Sequence, residues 1–275
     1  MSSATGDDAA LNRDAQAGVG AEGLAWGILA VRIGSIAVVT VVAWLVLAGL
    51  FDTTGFPPST IWATLGLLPV NLLCLWLLRR LYRREGMTLR DALGIRRGKV
   101  GRDILWGLLW LVVMNVPFAV AVAGTVFLLY GADAPAAFET IFVNPEAESA
   151  ISLAWLLVIA IVSVIPFMLI NAPTEELVYR GYAMSGIARR RGGAVAVIAT
   201  SLVFGVQHMA FAATVPGMLV FLVAFTLWGA AAALIVRWQG RLFPVVVAHW
   251  IINFMLSSPG IVFPILQLAG VIEAE

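Results

Sequence analysis

Charge is what this sequence has least of. Only 12% of its 275 residues are Asp, Glu, Lys or Arg, and 61% are hydrophobic; a soluble domain carries about 25% charged residues. That scarcity excludes a water-soluble globular domain and points to an all-α, polytopic transmembrane bundle. Cysteine is almost missing. Cys74 stands alone in an apolar run, which excludes a disulfide framework or a CxxC pair and reads as packing. Lysine occurs once, at Lys99, and histidine twice, at His208 and His249. A formal net charge of +1 gives no footprint for nucleic acid, and no such partner is expected.

What is present is a series of apolar runs, each long enough to cross a bilayer at roughly 17 to 25 residues. They occupy about 25–51, 59–78, 104–130, 150–170, 193–213 and 217–236, and a last run from about 242 to 271 is broken by SSPG at Ser257 to Gly260. Seven or eight spans follow, the last run being either one long span or a span with a short eighth helix. Residues 1–23 are rich in Ala, Gly and Asp and are expected to form a disordered tail. Residues 24–275 are expected to form a single integral membrane domain, with the motif-bearing core at about 150–256.

The loops set the orientation. Between Arg79 and Arg102 lie nine of the 17 basic residues, and Arg189 to Arg191, Arg237 and Arg241 add five more. The loop at 51–58 and the one at 131–149 carry Asp52, Asp133, Glu139, Glu146 and Glu148 but no base. By the positive-inside rule the basic loops and the N-terminus face the cytoplasm of a plasma membrane. The long basic loop has a short amphipathic centre around Met87 to Ile95, suited to anionic headgroups. GAAAA at Gly229 to Ala233 is a stripe for close helix packing.

The organising stretch is NAPTEELVYR, Asn171 to Arg180, which sets Glu175, Glu176 and Arg180 in or beside an apolar run. A central charge costs roughly +2.5 to +3.5 kcal/mol in a membrane helix, so three unpaired ones cost on the order of 8 to 10 kcal/mol. Glu176 and Arg180 share a helix face at i, i+4 with the acid first, the better order for an ion pair. Glu175 is left over. It lies well round the helix and is free to face something else as a general base. Arg32, inside the first apolar run, also needs an acid or an interfacial exit.

Both histidines fall within predicted spans. His208 follows Phe204 by one turn in FGVQH, and Asn253 follows His249 by one turn in HWIIN. Asn171 and Gln207 could join the same polar pocket. Counting from the nearest basic loop puts His208 deeper than Glu175 and His249, although Pro166 and Pro173 can kink their helix and shift its depth. A carboxylate and an imidazole can share the proton of a water attacking a carbonyl, while a second imidazole and an amide donate to the oxyanion. HExxH, GxSxG and GxGD are all missing, which removes the zinc-helix, serine-elbow and aspartyl routes to the same hydrolysis.

EELVYR fits EExxxR, FGVQH fits FxxxH and HWIIN fits HxxxN, in that order on successive late helices. Together they resemble the CPBP family, the CAAX proteases and bacteriocin-processing or Abi-type membrane proteins, and they cover about 171–253. The resemblance implies that Glu175 is the catalytic glutamate, that His208 works with it on water, and that His249 with Asn253 stabilises the oxyanion. Glu176, Arg180 and Phe204 support the motif. Glu175, His208 and His249 would be the ligands if a metal such as zinc were bound, but the glutamate reading needs no cofactor.

The reading that follows is an intramembrane endopeptidase cutting a membrane-anchored protein or peptide near the cytoplasmic face. The alternative is a non-catalytic immunity or scaffold protein in which the buried charges hold helices together. A transporter with a Glu175–His208 proton relay ranks third, because the paired broken helices of many carriers are missing.

Overall fold

The computed structural model describes residues 4–51, 55–144 and 151–272, with side chains from residue 20 onward. Among the described residues all regular structure is helical. The major helices are α1 (Ala4–Phe51), α2 (Thr60–Arg84), α3 (Leu89–Leu93), α4 (Val100–Tyr130) and α5 (Ala134–Thr140). After these come α6 (Leu153–Arg191), α7 (Gly193–His208), α8 (Val215–Gln239), α9 (Phe243–Ser257) and α10 (Pro259–Leu268). Seven helical segments are long and apolar enough to cross a membrane, and they match the seven runs read from hydropathy. The chain is an integral, multi-pass helical bundle.

The last run counts as one span, Phe243–Leu268. Ser258 keeps right-handed helical angles (φ −58°, ψ −33°), so the SSPG interruption joins α9 to α10 rather than ending the path. In the basic loop, α3 occupies the expected amphipathic centre. Thr88 and Asp91 form a reciprocal capping box at its start, and Gly94 ends it in the left-handed conformation at φ 71°. Asp52, Glu146 and Glu148 lie outside the described residues, as do the side chains of most of the expected tail. The end of that tail belongs to the fold: Glu22 is 5% exposed and pairs with Arg190 at 3.1 Å and Arg191 at 2.8 Å. Ala/Gly-rich composition hid this, because two ion pairs hold the segment rather than apolar periodicity.

Helices α7 and α8 pack most intimately, α4 covers α8 and α9, and α1 lies against α2 and the final turns of α6. A Cβ at Gly205 on α7 would sit 2.5 Å from the Leu222 carbonyl of α8, so only glycine allows that approach. At one end of the bundle, Asp103 near the start of α4 pairs with Arg241 just before α9. At the other end Thr214 caps α8 and donates to the Ile141 carbonyl at 2.7 Å, tying the α5 region to the bundle.

Helix α6 carries the organising stretch and is not uniformly α-helical. A π turn spans Phe167–Asn171, an α segment Ala172–Glu176, and a second π turn Leu177–Ala183. Proline explains the first. Pro173 has no N–H to give the Leu169 carbonyl four residues earlier, and the helix widens just before it. The Leu169 carbonyl instead accepts from Trp250 Nε1 of α9 at 3.0 Å. Trp250 thus fixes how α9 meets the motif helix.

Candidate active site

The two glutamates of α6 are fully buried, Glu175 at 1% and Glu176 at 0% exposure. Their partners divide as the helical wheel requires, since adjacent residues point about 100° apart. Glu176 Oε1 accepts from Arg180 Nη1 at 3.1 Å, the expected i, i+4 pair. It also faces His249 Nδ1 at 2.9 Å. Arg180 is held further by the Gly229 carbonyl, which accepts from Nη2 at 3.2 Å, and its guanidinium lies 4.2 Å from the centre of the Phe204 ring. Phe204, 0% exposed, is therefore one wall of the Arg180 site.

Glu175 is not left over. Its Oε1 accepts from Arg32 Nη2 at 2.6 Å and from Gln207 Nε2 at 2.9 Å. This corrects the expectation of a free carboxylate and also places Arg32, which neither snorkels nor reaches an interface. Arg32 donates through Nε to Gln207 Oε1 at 2.8 Å and through Nη1 to Asn71 Oδ1 at 3.1 Å. Tyr179 donates to the same Gln207 oxygen at 2.7 Å, and Asn71 donates to Asn171 Oδ1 at 3.0 Å. The network satisfies a buried guanidinium with good geometry, the condition under which such a charge is tolerated. Asn71 and Tyr179 were not singled out in the sequence, although an asparagine inside the apolar run of α2 is itself a signal.

All of these contacts fall on Oε1. Oε2 of Glu175 has no hydrogen-bond partner among the described residues and lies 3.5 Å from His249 Nε2. The carboxylate is thus anchored by one oxygen and presented by the other. Asn253 Nδ2, one turn beyond His249, is likewise buried and unpartnered.

Histidine 208 sits at the last turn of α7, stacked on Phe225 with ring centroids 3.6 Å apart. Its Nδ1 lies 2.7 Å from the Phe204 carbonyl. A carbonyl only accepts, so Nδ1 carries the hydrogen and Nε2 of the neutral ring keeps its lone pair. The one-turn spacing of FxxxH produces this contact. In the same way the Glu176 carboxylate sets the hydrogen of His249 on Nδ1 and leaves Nε2 toward Glu175.

A cavity of about 350 Å³ gathers these groups. Glu175, His208, His249, Asn253 and Asn171 line it, with Phe204, Phe225 and Trp228 among its apolar walls. The differing depths suggested by residue counting are reconciled, because His208 at the end of α7 and the middle of α6 meet at one cavity. Gln207 touches Glu175 from the other side.

The three residues that would hold a metal do not fit one. Among the described residues no three His, Cys, Asp or Glu side chains form a group that could hold a metal ion. The charge beside the carboxylate gives the reason: Glu175 Oε1 already faces the Arg32 guanidinium at 2.6 Å, which repels a divalent cation.

No curated protein and no solved structure gives a match. Residues 153–255, which run from the start of α6 to near the end of α9 and include every residue of the three motifs, match the family described as type II CAAX prenyl endopeptidase Rce1-like, which supports membership of the CAAX proteases.

Proposed function

We propose that the chain is a glutamate-dependent intramembrane endopeptidase that hydrolyses a peptide bond of a membrane-anchored protein or peptide. The observation that carries this reading is the shared cavity, in which an anchored carboxylate, two imidazoles of set tautomer and an unpartnered amide face one space. Glu175 Oε2 and His208 Nε2 are the acceptors for the proton of an attacking water. The water oxygen bonds to the carbonyl carbon and the carbonyl oxygen becomes the oxyanion. Asn253 Nδ2 donates to it, and the His249 ring, held at Nδ1 by Glu176, lines the oxyanion site beside Asn253. Collapse expels the amine, which takes the proton gained by the Glu175–His208 pair. Arg32 offsets the charge of Glu175, so the oxyanion does not form beside an uncompensated carboxylate.

In this reading the basic loops and the N-terminus face the cytoplasm of a plasma membrane. The cavity lies toward the end of the bundle away from the basic loops, where Thr60, Phe142, Ala213 and Ser257 line it, and not toward the cytoplasmic face expected from the sequence; a substrate held in the membrane enters it there, no resident metal is required, and no nucleic acid takes part.

A structural role for the charges is the second reading, favoured by the Arg32–Glu175 pair itself. One experiment separates them: membrane peptidomics on cells carrying the wild-type chain or Glu175→Gln at matched abundance. Peptide termini that vanish only in the variant support proteolysis and identify the substrate. Equal termini, with a variant that is folded and functional in its host, would overturn the catalytic role.

A further inference from the structure

A second cavity, about 500 Å³, lies at the arginine-rich end of the bundle, between the ends of α2, α6 and α8 and beside α3. Arg180, Arg189, Arg237 and Arg241 line it, Tyr82 adds a hydroxyl, and Glu85 is its one acid. These arginines are not equally engaged. Arg180 pairs with Glu176 and Arg241 with Asp103, and even Arg190 and Arg191, the neighbours of Arg189, both pair with Glu22. Among the described residues no acid pairs with Arg189 or Arg237. Tyr82 is 5% exposed, and its hydroxyl has no hydrogen-bond partner among the described residues although it lines the cavity.

We propose that this cavity binds a single phosphate group, either the phosphodiester of an anionic phospholipid headgroup or a soluble phosphate. Two unpaired guanidinium groups against one carboxylate leave an excess of one positive charge, which a phosphodiester neutralises. Guanidinium forks match phosphate oxygens in pairs, and the tyrosine hydroxyl supplies a further donor. The position also fits, since the residues sit where spanning helices end and phospholipid phosphates lie. Arg180 forms the inner limit of this cavity and reaches His249 of the first cavity through Glu176, by contacts of 3.1 Å and 2.9 Å. The bound phosphate would therefore lie beside the charge chain that ends at the candidate active site.

The test uses the full chain in nanodiscs of phosphatidylcholine with and without phosphatidylglycerol, with lipid adducts that survive delipidation followed by native mass spectrometry. The wild type is expected to retain phosphatidylglycerol over phosphatidylcholine. Arg189→Gln/Arg237→Gln is expected to weaken that retention by about tenfold or more, the scale of a lost charge-assisted contact. Tyr82→Phe, which keeps the ring packed on Tyr182 at 5.4 Å, weakens it less. A control, Arg96→Gln/Arg97→Gln on the neighbouring loop, leaves it unchanged. Displacement of the lipid by millimolar inorganic phosphate shows that the phosphate group alone is recognised. Retention in phosphate, with loss in the cavity variant, assigns the site to the lipid headgroup. Equal retention by wild type and both cavity variants overturns the proposal, and so does an equal loss in the control, which would make the attraction a property of the whole basic face.

Discussion

Arg32 of α1 and Glu175 of α6, 143 residues apart in the chain, meet at 2.6 Å with side chains 0% and 1% exposed. Removing one member of such a pair leaves a buried charge without its partner, which costs about 3 to 5 kcal/mol. Arg32→Met is therefore expected to lower stability on that scale and to abolish cleavage. Adding Glu175→Gln to Arg32→Met should recover most of the stability and none of the activity. Denaturation of the detergent-solubilised chain, read as a double-mutant cycle, checks this; additive losses would mean that the pair contributes nothing as a pair.

The contact between Trp250 and the Leu169 carbonyl gives a second prediction. Trp250→Phe keeps a ring but removes the donor that serves a carbonyl Pro173 cannot serve, for an expected loss of about 1 kcal/mol. Pro173→Ala restores an N–H at that position, so the same Trp250→Phe change should cost less in that background. Equal costs in both backgrounds would show that the indole does not compensate for the proline.

Gly229 tests the wall behind Arg180. A Cβ there would lie 3.0 Å from Arg180 Nη2 and 3.3 Å from the Phe204 ring. Gly229→Ala is expected to push the guanidinium off the Gly229 carbonyl, destabilise by about 1 to 3 kcal/mol and reduce cleavage through Glu176 and His249. Gly124→Ala on α4, where a Cβ meets nothing within 4 Å, is the control and should change neither stability nor cleavage.

The sequence made much of this legible, for physical reasons that differ from residue to residue. Apolar runs at bilayer length give the spans, because nothing else explains so few charges. The Glu176–Arg180 pair and the His249–Asn253 face follow from helical spacing alone. The Arg32–Glu175 pair does not, because spacing within a helix says nothing about which helix lies beside it. Pro173 announces a lost hydrogen bond but not that Trp250 replaces it. The role of Glu22 was hidden by the small residues around it, since its partners stand at the far end of α6.

The last prediction concerns metal. A zinc site built on Glu175, His208 and His249 would have to compete with Arg32 for the carboxylate, and a guanidinium already in contact repels a divalent cation. Cleavage by the purified chain of the membrane substrate that peptidomics identifies is therefore expected to survive prolonged treatment with 1,10-phenanthroline, and metal analysis of the active protein should find well below one zinc per chain. Loss of activity to the chelator, restored by zinc and absent with a non-chelating isomer, would show that the ion displaces Arg32. In that case Arg32→Met should bind zinc more tightly than the wild type, because the competing cation is gone.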